Sequence, residues 1–506
     1  MEDIYRKGKC PMTTNEGEPI YNDTDSLTVG ENGPILLKDR WLLDKLGNVV
    51  RERMPPRVVH AKGTGAYGYF KCTNNMEKYT KAKVFTDTNS PIKVFVRFSL
   101  IAEEVGSAES VRDGRGFAVK FYTKEGNYDL VGINFPVFFV KDAKRFPDLL
   151  HAFKPSPITN IPDPNTAWDF LATTPESTQL SLYLFSDLGT RKSYIKMTGH
   201  SVNTYLWINK EGSKFYIKYH LLPLAGDEWI TADEATRIAG ENPNVATEEL
   251  YNTLNSGETA DWDMYVQIMN PCEGDRLPYN PLNPTVQWPT CDYPLIKVGK
   301  LTLNTSPDNF FEEVEQAAFS PMNLVPGIDF SNDKVLQGRS IAYHDAQRYR
   351  IGVNFEKLPV NKPIVKVNNN IRDGKMNFEP HTGFAYSPNL IQDNCPRVQE
   401  DKYPVNPIFD CGFEMQRTTI NCKYDDFTQA GEFYRSLPCK EQDHLVKNLI
   451  AALKPVKKKI VYAYLYHLYK SDDDIFRRVS YGLGMENNLD KILDKENIKN
   501  STGLYT

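Results

Sequence analysis

A chain of 506 residues with 40% apolar and 25% charged side chains has globular composition, can bury a sizeable core, and exceeds the usual length of one compact domain. Its formal net charge of -5 offers no whole-chain footprint for nucleic acid or an anionic membrane surface. The eight cysteines form no C-x-x-C pair and no short disulfide framework, which fits free thiols in a reducing compartment.

The opening residues, M-E-D-I-Y-R-K-G-K, lack the apolar run of a secretory signal, and no stretch approaches the roughly eighteen apolar residues of a membrane span. The last residues, S-T-G-L-Y-T, differ from an S-K-L address, so a cytoplasmic location is expected. Residues 1 to about 50 are rich in Asn, Asp, Thr and Gly, with one apolar cluster from Pro34 to Leu46, and read as an extended arm. From Val59 to about Tyr219, short β-rich runs alternate with turn residues, at 93–99, 116–123, 180–186, 203–209 and 214–220. A closed or strongly curved antiparallel sheet is the expected result. An acidic helical stretch follows from Thr231 to about Asp261. A long segment to about Tyr424, dense in Pro and Asn, then reads as a connecting arm wrapped over a surface. Helical spacing returns in Leu445, Leu449 and Leu453, then in Ile460, Tyr464, Leu465 and Leu468; the residues after about Met485 are expected to fray.

Among chemical signals, no two histidines stand at i, i+4, which argues against a histidine zinc site. The letters of Gly63-Thr64-Gly65-Ala66-Tyr67-Gly68 match a dinucleotide fingerprint but follow no strand and precede no evident helix. In Arg339 to Gly352, a helix would line up Arg339, Tyr343, Gln347 and Arg350 on one face. A tyrosine between arginines has its phenolate favoured, and a phenolate suits a ferric ion; an exposed Tyr/Arg stripe has the same spacing, which alone does not separate the two. His60 lies among apolar and small residues three positions after Arg57, as a core histidine or a catalyst could. Arg97 and Ser99 alternate on one strand face, where Ser99 can meet an imidazole and Arg97 a carboxylate.

Taken together, R-V-V-H-A-K-G-x-G-A-x-G-Y-F (57–70), R-F-S (97–99), V-R-D-G-R-G-F-A-V-K-F-Y-T (111–123), D-Y-P-L-I-x-V-G-K-L-T-L-N (292–304) and L-Q-G-R-S-I-A-Y-x-D-x-x-R-Y-R (336–350) resemble the monofunctional haem catalases, from about Leu27 to Asp490. The resemblance implies an α+β fold: an antiparallel eight-stranded β-barrel, a long wrapping arm and a C-terminal helical layer. It implies four parts, an N-terminal arm (1–55), a barrel haem domain (56–300), a connecting arm carrying the proximal helix (301–424) and a helical region (425–506). It implies haem b held by Tyr343 as the axial phenolate, with Arg339 keeping that phenolate ionised. His60 is then the distal acid and base, with Ser99 hydrogen-bonded to its ring and Val59 beside it. Arg57, Arg97 and Arg350 match the arginines that meet the haem propionates. Phe138, Phe139 and Phe146 match the aromatic lining of the distal side and channel. The implied reaction is decomposition of hydrogen peroxide to water and dioxygen by a homotetramer. A related haem enzyme acting on organic substrates, as hydroperoxide isomerase, peroxidase or oxidase, is the alternative, and a haem-storage relative without turnover a third reading.

Two departures stand out. Where the family reads G-N-N-x-P or G-N-D-x-P and uses the first amide to orient peroxide, this chain has Ile133. Asn134 follows it, but adjacent strand residues face opposite sides. Loss of one such donor costs roughly 10²–10³ in rate by analogy with oxyanion holes. Leu188, Leu222 and Gln179 replace residues of the family's nicotinamide site, so NADPH is not expected.

Overall fold

Eight strands close into one antiparallel barrel. In chain order the strands are β1 (Gly63–Cys72), β2 (Ile92–Leu100), β3 (Arg115–Thr123), β4 (Gly126–Ile133), β5 (Gly199–His200), β6 (Tyr205–Ile208), β7 (Lys214–Pro223), β8 (Ala260–Met269), β9 (Ile296–Thr305) and β10 (Ile328–Phe330). The ladder runs β7-β5-β4-β3-β2-β1-β9-β8, the β7–β8 pairing closes it, and β6 and β10 extend it beyond β7. The computed structural model describes residues 10–274, 276–378, 383–398, 425–485, 492 and 494. The expected fraying after Met485 therefore lies almost wholly outside the described residues, as does the connecting arm from 399 to 424. The chain falls into two units, Met1–Pro56 and Arg57–Thr506. The six described cysteines are free thiols.

Alternation explains the barrel. Phe98, Phe117, Leu221 and Met264 point inward to a core that includes Trp207 and Trp262, and the residues between them point outward. Gly63, Ser99, Gly116, Ile133, His200 and His220 lie opposite one another along a single row that crosses six strands. That row belongs to the outer face. The glycine-rich fingerprint is part of β1, and added Cβ atoms at Gly63 and Gly65 would lie 2.2 Å from the Phe98 carbonyl oxygen and 2.5 Å from the Phe95 ring. These glycines serve close strand packing rather than a nucleotide.

Two expectations need correction. The run at 180–186 is helix, Thr178–Phe185, rather than strand. Its residues from Thr178 to Leu184 are all buried, so the alternating letters report no exposed face. The N-terminal unit is not wholly extended: Arg40–Val49 is helical, with the Asp39 carboxylate accepting from Leu42 N at 3.1 Å. Asp23 braces that helix by accepting from Trp41 Nε1 at 2.6 Å and Lys45 Nζ at 2.7 Å. Sequence composition also passed over β8 and β9, which lie inside the Pro- and Asn-rich stretch.

The acidic stretch forms two helices, Ala232–Glu241 and Val245–Asn255. The C-terminal helices are Thr428–Ser436, Cys439–Leu453, Lys458–Ser471 and Asp473–Gly482. Leu445, Leu449, Leu453, Tyr464, Leu465 and Leu468 are buried, as their spacing requires, in one cluster with Trp168, Phe139 and Ile133. At about 1.5–3 kcal/mol for each large buried side chain, that cluster fixes the helical layer firmly over the outer face of the barrel.

Candidate active site

The row of outward-facing positions begins the site. His60 sits just before β1 with φ of 64°, a left-handed conformation uncommon for a side-chain-bearing residue. Three contacts hold it there: His60 N donates to the Ile101 carbonyl at 2.9 Å, Arg97 Nη1 donates to the His60 carbonyl at 2.9 Å, and His60 Nδ1 meets Ser99 Oγ at 2.9 Å. Gly116, beside Ser99 in the ladder, leaves room for the ring, because an added Cβ would lie 2.7 Å from His60 Nδ1. Burial, and then the charges of Arg97, Arg339 and Arg57, push the His60 pKa down to about 3. His60 is therefore neutral at pH 7. Val59 is partly buried immediately before it.

Ile133 is the next position in the same row, directly opposite Gly116 and so on the face that carries Ser99 and the His60 ring. It is 7% exposed and belongs to the apolar cluster that includes Phe139, with Phe138 and Phe146 packed against it. The Phe138 ring lies 6.0 Å from Phe146 and 5.9 Å from Phe139. Asn134 turns the other way, as alternation requires: its Oδ1 accepts from Arg115 N at 2.6 Å. It supplies no amide beside His60.

The helix Lys334–Arg350 carries the second group of residues. Asp333 caps it, with Oδ1 accepting from Val335 N at 2.9 Å and Leu336 N at 3.1 Å. One turn apart on this helix, Arg339 Nη2 donates to Tyr343 Oη at 2.8 Å. The same nitrogen donates to the Val131 carbonyl on β4 at 2.8 Å, two residues before Ile133. Arg339 Nη1 donates to Asn203 Oδ1 at 2.6 Å, and Asn203 Nδ2 donates to Asp333 Oδ2 at 2.8 Å. Burial opposes the Arg339 charge, but the neighbouring Tyr343 and Tyr205 leave its pKa above the ordinary value. Asn203 and Asp333 escaped the sequence reading, since an amide 136 residues from its arginine leaves no local signal.

Arg57, Arg97 and Arg350 form the third group. Arg57 Nη2 donates to the carbonyls of Val314, Glu315 and Ala317 at 3.0, 3.0 and 2.8 Å. Arg350 Nη1 donates to the Glu315 carbonyl at 2.6 Å, and the Glu315 carboxylate stands 3.4 Å from both Arg57 and Arg350. Burial and then the charge of Arg57 lower the pKa of both Arg97 and Arg350, the latter to about 9. The Arg97 Nε hydrogen is buried with no acceptor among the described residues. Crowded cations with an unused donor call for an anion.

A family model described as Catalase matches residues 13–393, and one described as Catalase-related immune-responsive matches 420–483. The chain is 44% identical to a catalase of Methanosarcina barkeri, over 94% of each protein, and 45% identical to Catalase-1 of Arabidopsis thaliana, over 87% of this chain and 89% of that one. Its structure superposes on catalase A from Saccharomyces cerevisiae with a TM-score of 0.90 at 36% identity, over 94% of this chain and 99% of that one. The chain belongs to the catalase family. It is an oxidoreductase that decomposes hydrogen peroxide, and the catalase family implies a haem cofactor.

The residues present fit that group. A haem carries two carboxylates, and the cluster of Arg57, Arg97 and Arg350 supplies the charge and the unused Arg97 Nε donor for them. A tyrosine held by an arginine is one of the protein ligands that suit haem iron. The sequence-derived residues are thus gathered in three sets: Ser99 and Ile133 on one ladder row with the His60 ring held against Ser99, Arg339 with Tyr343 on the helix, and Arg57 and Arg350 about residues 314–317 with the charge of Arg97 nearby.

Proposed function

We propose that this catalase works with His60 as acid and base and Tyr343 as the haem ligand, and that Ile133 slows it. The observation that carries the reading is the His60–Ser99 hydrogen bond of 2.9 Å around an imidazole kept neutral by burial. With Nδ1–H donated to Ser99 Oγ, the free lone pair lies on Nε2. That nitrogen takes the proton from one peroxide oxygen and returns it to the other, so that the O–O bond breaks heterolytically and water leaves. Arg339 donates a hydrogen bond to the oxygen of Tyr343, the haem ligand of this reading. Arg57, Arg97 and Arg350 hold the carboxylates of haem b. When bound, the haem supplies the redox chemistry that removes two electrons from a second peroxide and releases dioxygen.

Phe138, Phe139 and Phe146 make the wall of the peroxide side apolar and exclude water. Ile133 extends this wall to the position from which an amide would orient peroxide, so His60 works without a second donor. Leu188 and Leu222 offer no charge to a nicotinamide phosphate, and the reading includes no NADPH. It also takes the protein as a homotetramer, as the resemblance implies, and as cytoplasmic. No helix among the described residues is long and apolar enough to cross a membrane.

The test is oxygen release from hydrogen peroxide by purified holoprotein at full haem occupancy. Measurable release at a rate that rises on I133N supports the reading; no release removes it.

A further inference from the structure

We propose that the loop 155–162 and the lysine run 454–459 form a docking surface for a bilayer rich in anionic phospholipid. The loop joins the helix Phe146–Phe153 to the helix Pro164–Ala172. Its letters, P-S-P-I-T-N-I-P, include no charge, and Ile158 is 92% and Ile161 65% exposed. Two backbone bonds close it into a tight turn: Asn160 N donates to the Ser156 carbonyl at 2.8 Å, and Ser156 N donates to the Ile161 carbonyl at 3.0 Å. Asn160 takes the left-handed conformation of that turn, at φ of 55°. The backbone thus holds two aliphatic side chains out in water on a fixed tip.

The lysines lie at the foot of the loop. Lys457 N donates to Asn165 Oδ1 at 2.9 Å, and Asn165 Nδ2 donates to Asp163 Oδ1 at 2.8 Å, so two bonds join the run to the end of the loop. Behind them the Trp168 and Tyr464 ring centres stand 4.7 Å apart, which ties the helix after the loop to the helix Lys458–Ser471. Val456 is buried and anchors the run, while Lys454, Lys457, Lys458 and Lys459 are all exposed. Lys154 adds another exposed cation just before the loop. Asp163 is the one carboxylate in residues 154–163 and 454–459, so a net charge of -5 for the whole chain conceals a local excess of cations.

Charge and apolar exposure together choose the occupant. A lysine held near an anionic leaflet contributes about fivefold in affinity, and its stem covers apolar surface while the ammonium reaches the phosphates. Nucleic acid also attracts lysines, but its exposed bases stack on aromatic rings, and neither segment contains one. Ile158 and Ile161 gain instead from leaving water for the boundary between headgroups and acyl chains. The surface therefore fits a peripheral attachment in which the isoleucine tip enters the interface and the lysines rest on the headgroups. The cytoplasmic leaflet of a cell membrane carries lipids of this charge.

The experiment is co-sedimentation of the haem-loaded full chain with vesicles made of equal parts phosphatidylserine and phosphatidylcholine, set against vesicles of phosphatidylcholine alone, with oxygen release measured on the same samples. Wild type sediments with the anionic vesicles and not with the neutral ones, and rising salt releases it. Lys457→Gln, Lys458→Gln and Lys459→Gln together weaken binding by about 10². Ile158→Ser with Ile161→Ser weakens it by about tenfold, and both variants release oxygen at the wild-type rate. Absence of sedimentation, equal binding to neutral vesicles, or unchanged affinity in either variant overturns the proposal. So does tighter binding to single-stranded DNA than to the anionic vesicles, which makes the patch a nucleic-acid surface, or a smaller assembly in the isoleucine variant, which makes it a contact between copies of the chain.

Discussion

On the Tyr343 side of the site, Asp333 holds Asn203, Asn203 holds Arg339, and Arg339 reaches Tyr343, each through a bond of 2.6 to 2.8 Å. On the His60 side, the imidazole has one hydrogen bond among the described residues, to Ser99, and beyond Gly116 in the ladder stands the apolar Ile133. The contrast separates two needs. The arginine charge of Arg339 requires polar partners around it, since an uncompensated buried charge is costly. A peroxide needs only a base to react at all, and a second donor to react fast.

The strongest way to break this contrast is at Tyr343. Tyr343→Phe removes the proposed haem ligand, and we expect loss of tyrosine-ligated haem absorption together with oxygen release at background; an unchanged spectrum would show that the ligand lies elsewhere. His60→Ala keeps the haem spectrum and lowers kcat by about 10²–10⁴, the usual worth of a positioned acid and base. Ile133→Asn sharpens the contrast from the other side: it raises kcat/KM by up to about 10² if the missing donor limits the rate, read with an oxygen electrode. Asn203→Leu leaves Arg339 Nη1 without its Asn203 partner, so stability in urea falls by about 1–3 kcal/mol while tyrosine ligation persists through the Arg339 Nη2 bond.

The smallest effect is on pH dependence. The folded His60 pKa, about 3, lies below the ordinary value near 6.5, and His220, pushed down to about 4 chiefly by burial, behaves alike. Kcat/KM therefore stays level as pH falls through 6.5, because the base remains neutral. Stability does not: below about 6.5 the unfolded chain binds protons that the folded chain refuses, so melting temperature declines as pH drops from there toward 3. An acid limb of activity centred near 6.5 would contradict the burial of His60.

The contrast also explains what could be read from the sequence. The i, i+4 spacing of Arg339 and Tyr343 and the alternation of Arg97 with Ser99 are local patterns, and both survive as contacts or shared faces. Ile133 was visible because it interrupts a motif, and the ladder places it beside Gly116. Asn203 and Glu315 were invisible, as each acquires its role from arginines far along the chain. Thr178–Phe185 misled because it is buried on nearly all sides, and without a polar face neither a two-residue nor a 3.6-residue period is marked.

The left-handed backbone of His60 carries a cost beyond chemistry. At φ of 64° a side-chain-bearing residue loses roughly 1–2 kcal/mol relative to a relaxed one, and glycine would not. The position thus sets durability against turnover: the replacement that best relieves the fold, His60→Gly, is one that discards the base, and a search for heat-resistant variants that ignored activity would drift toward an inert barrel.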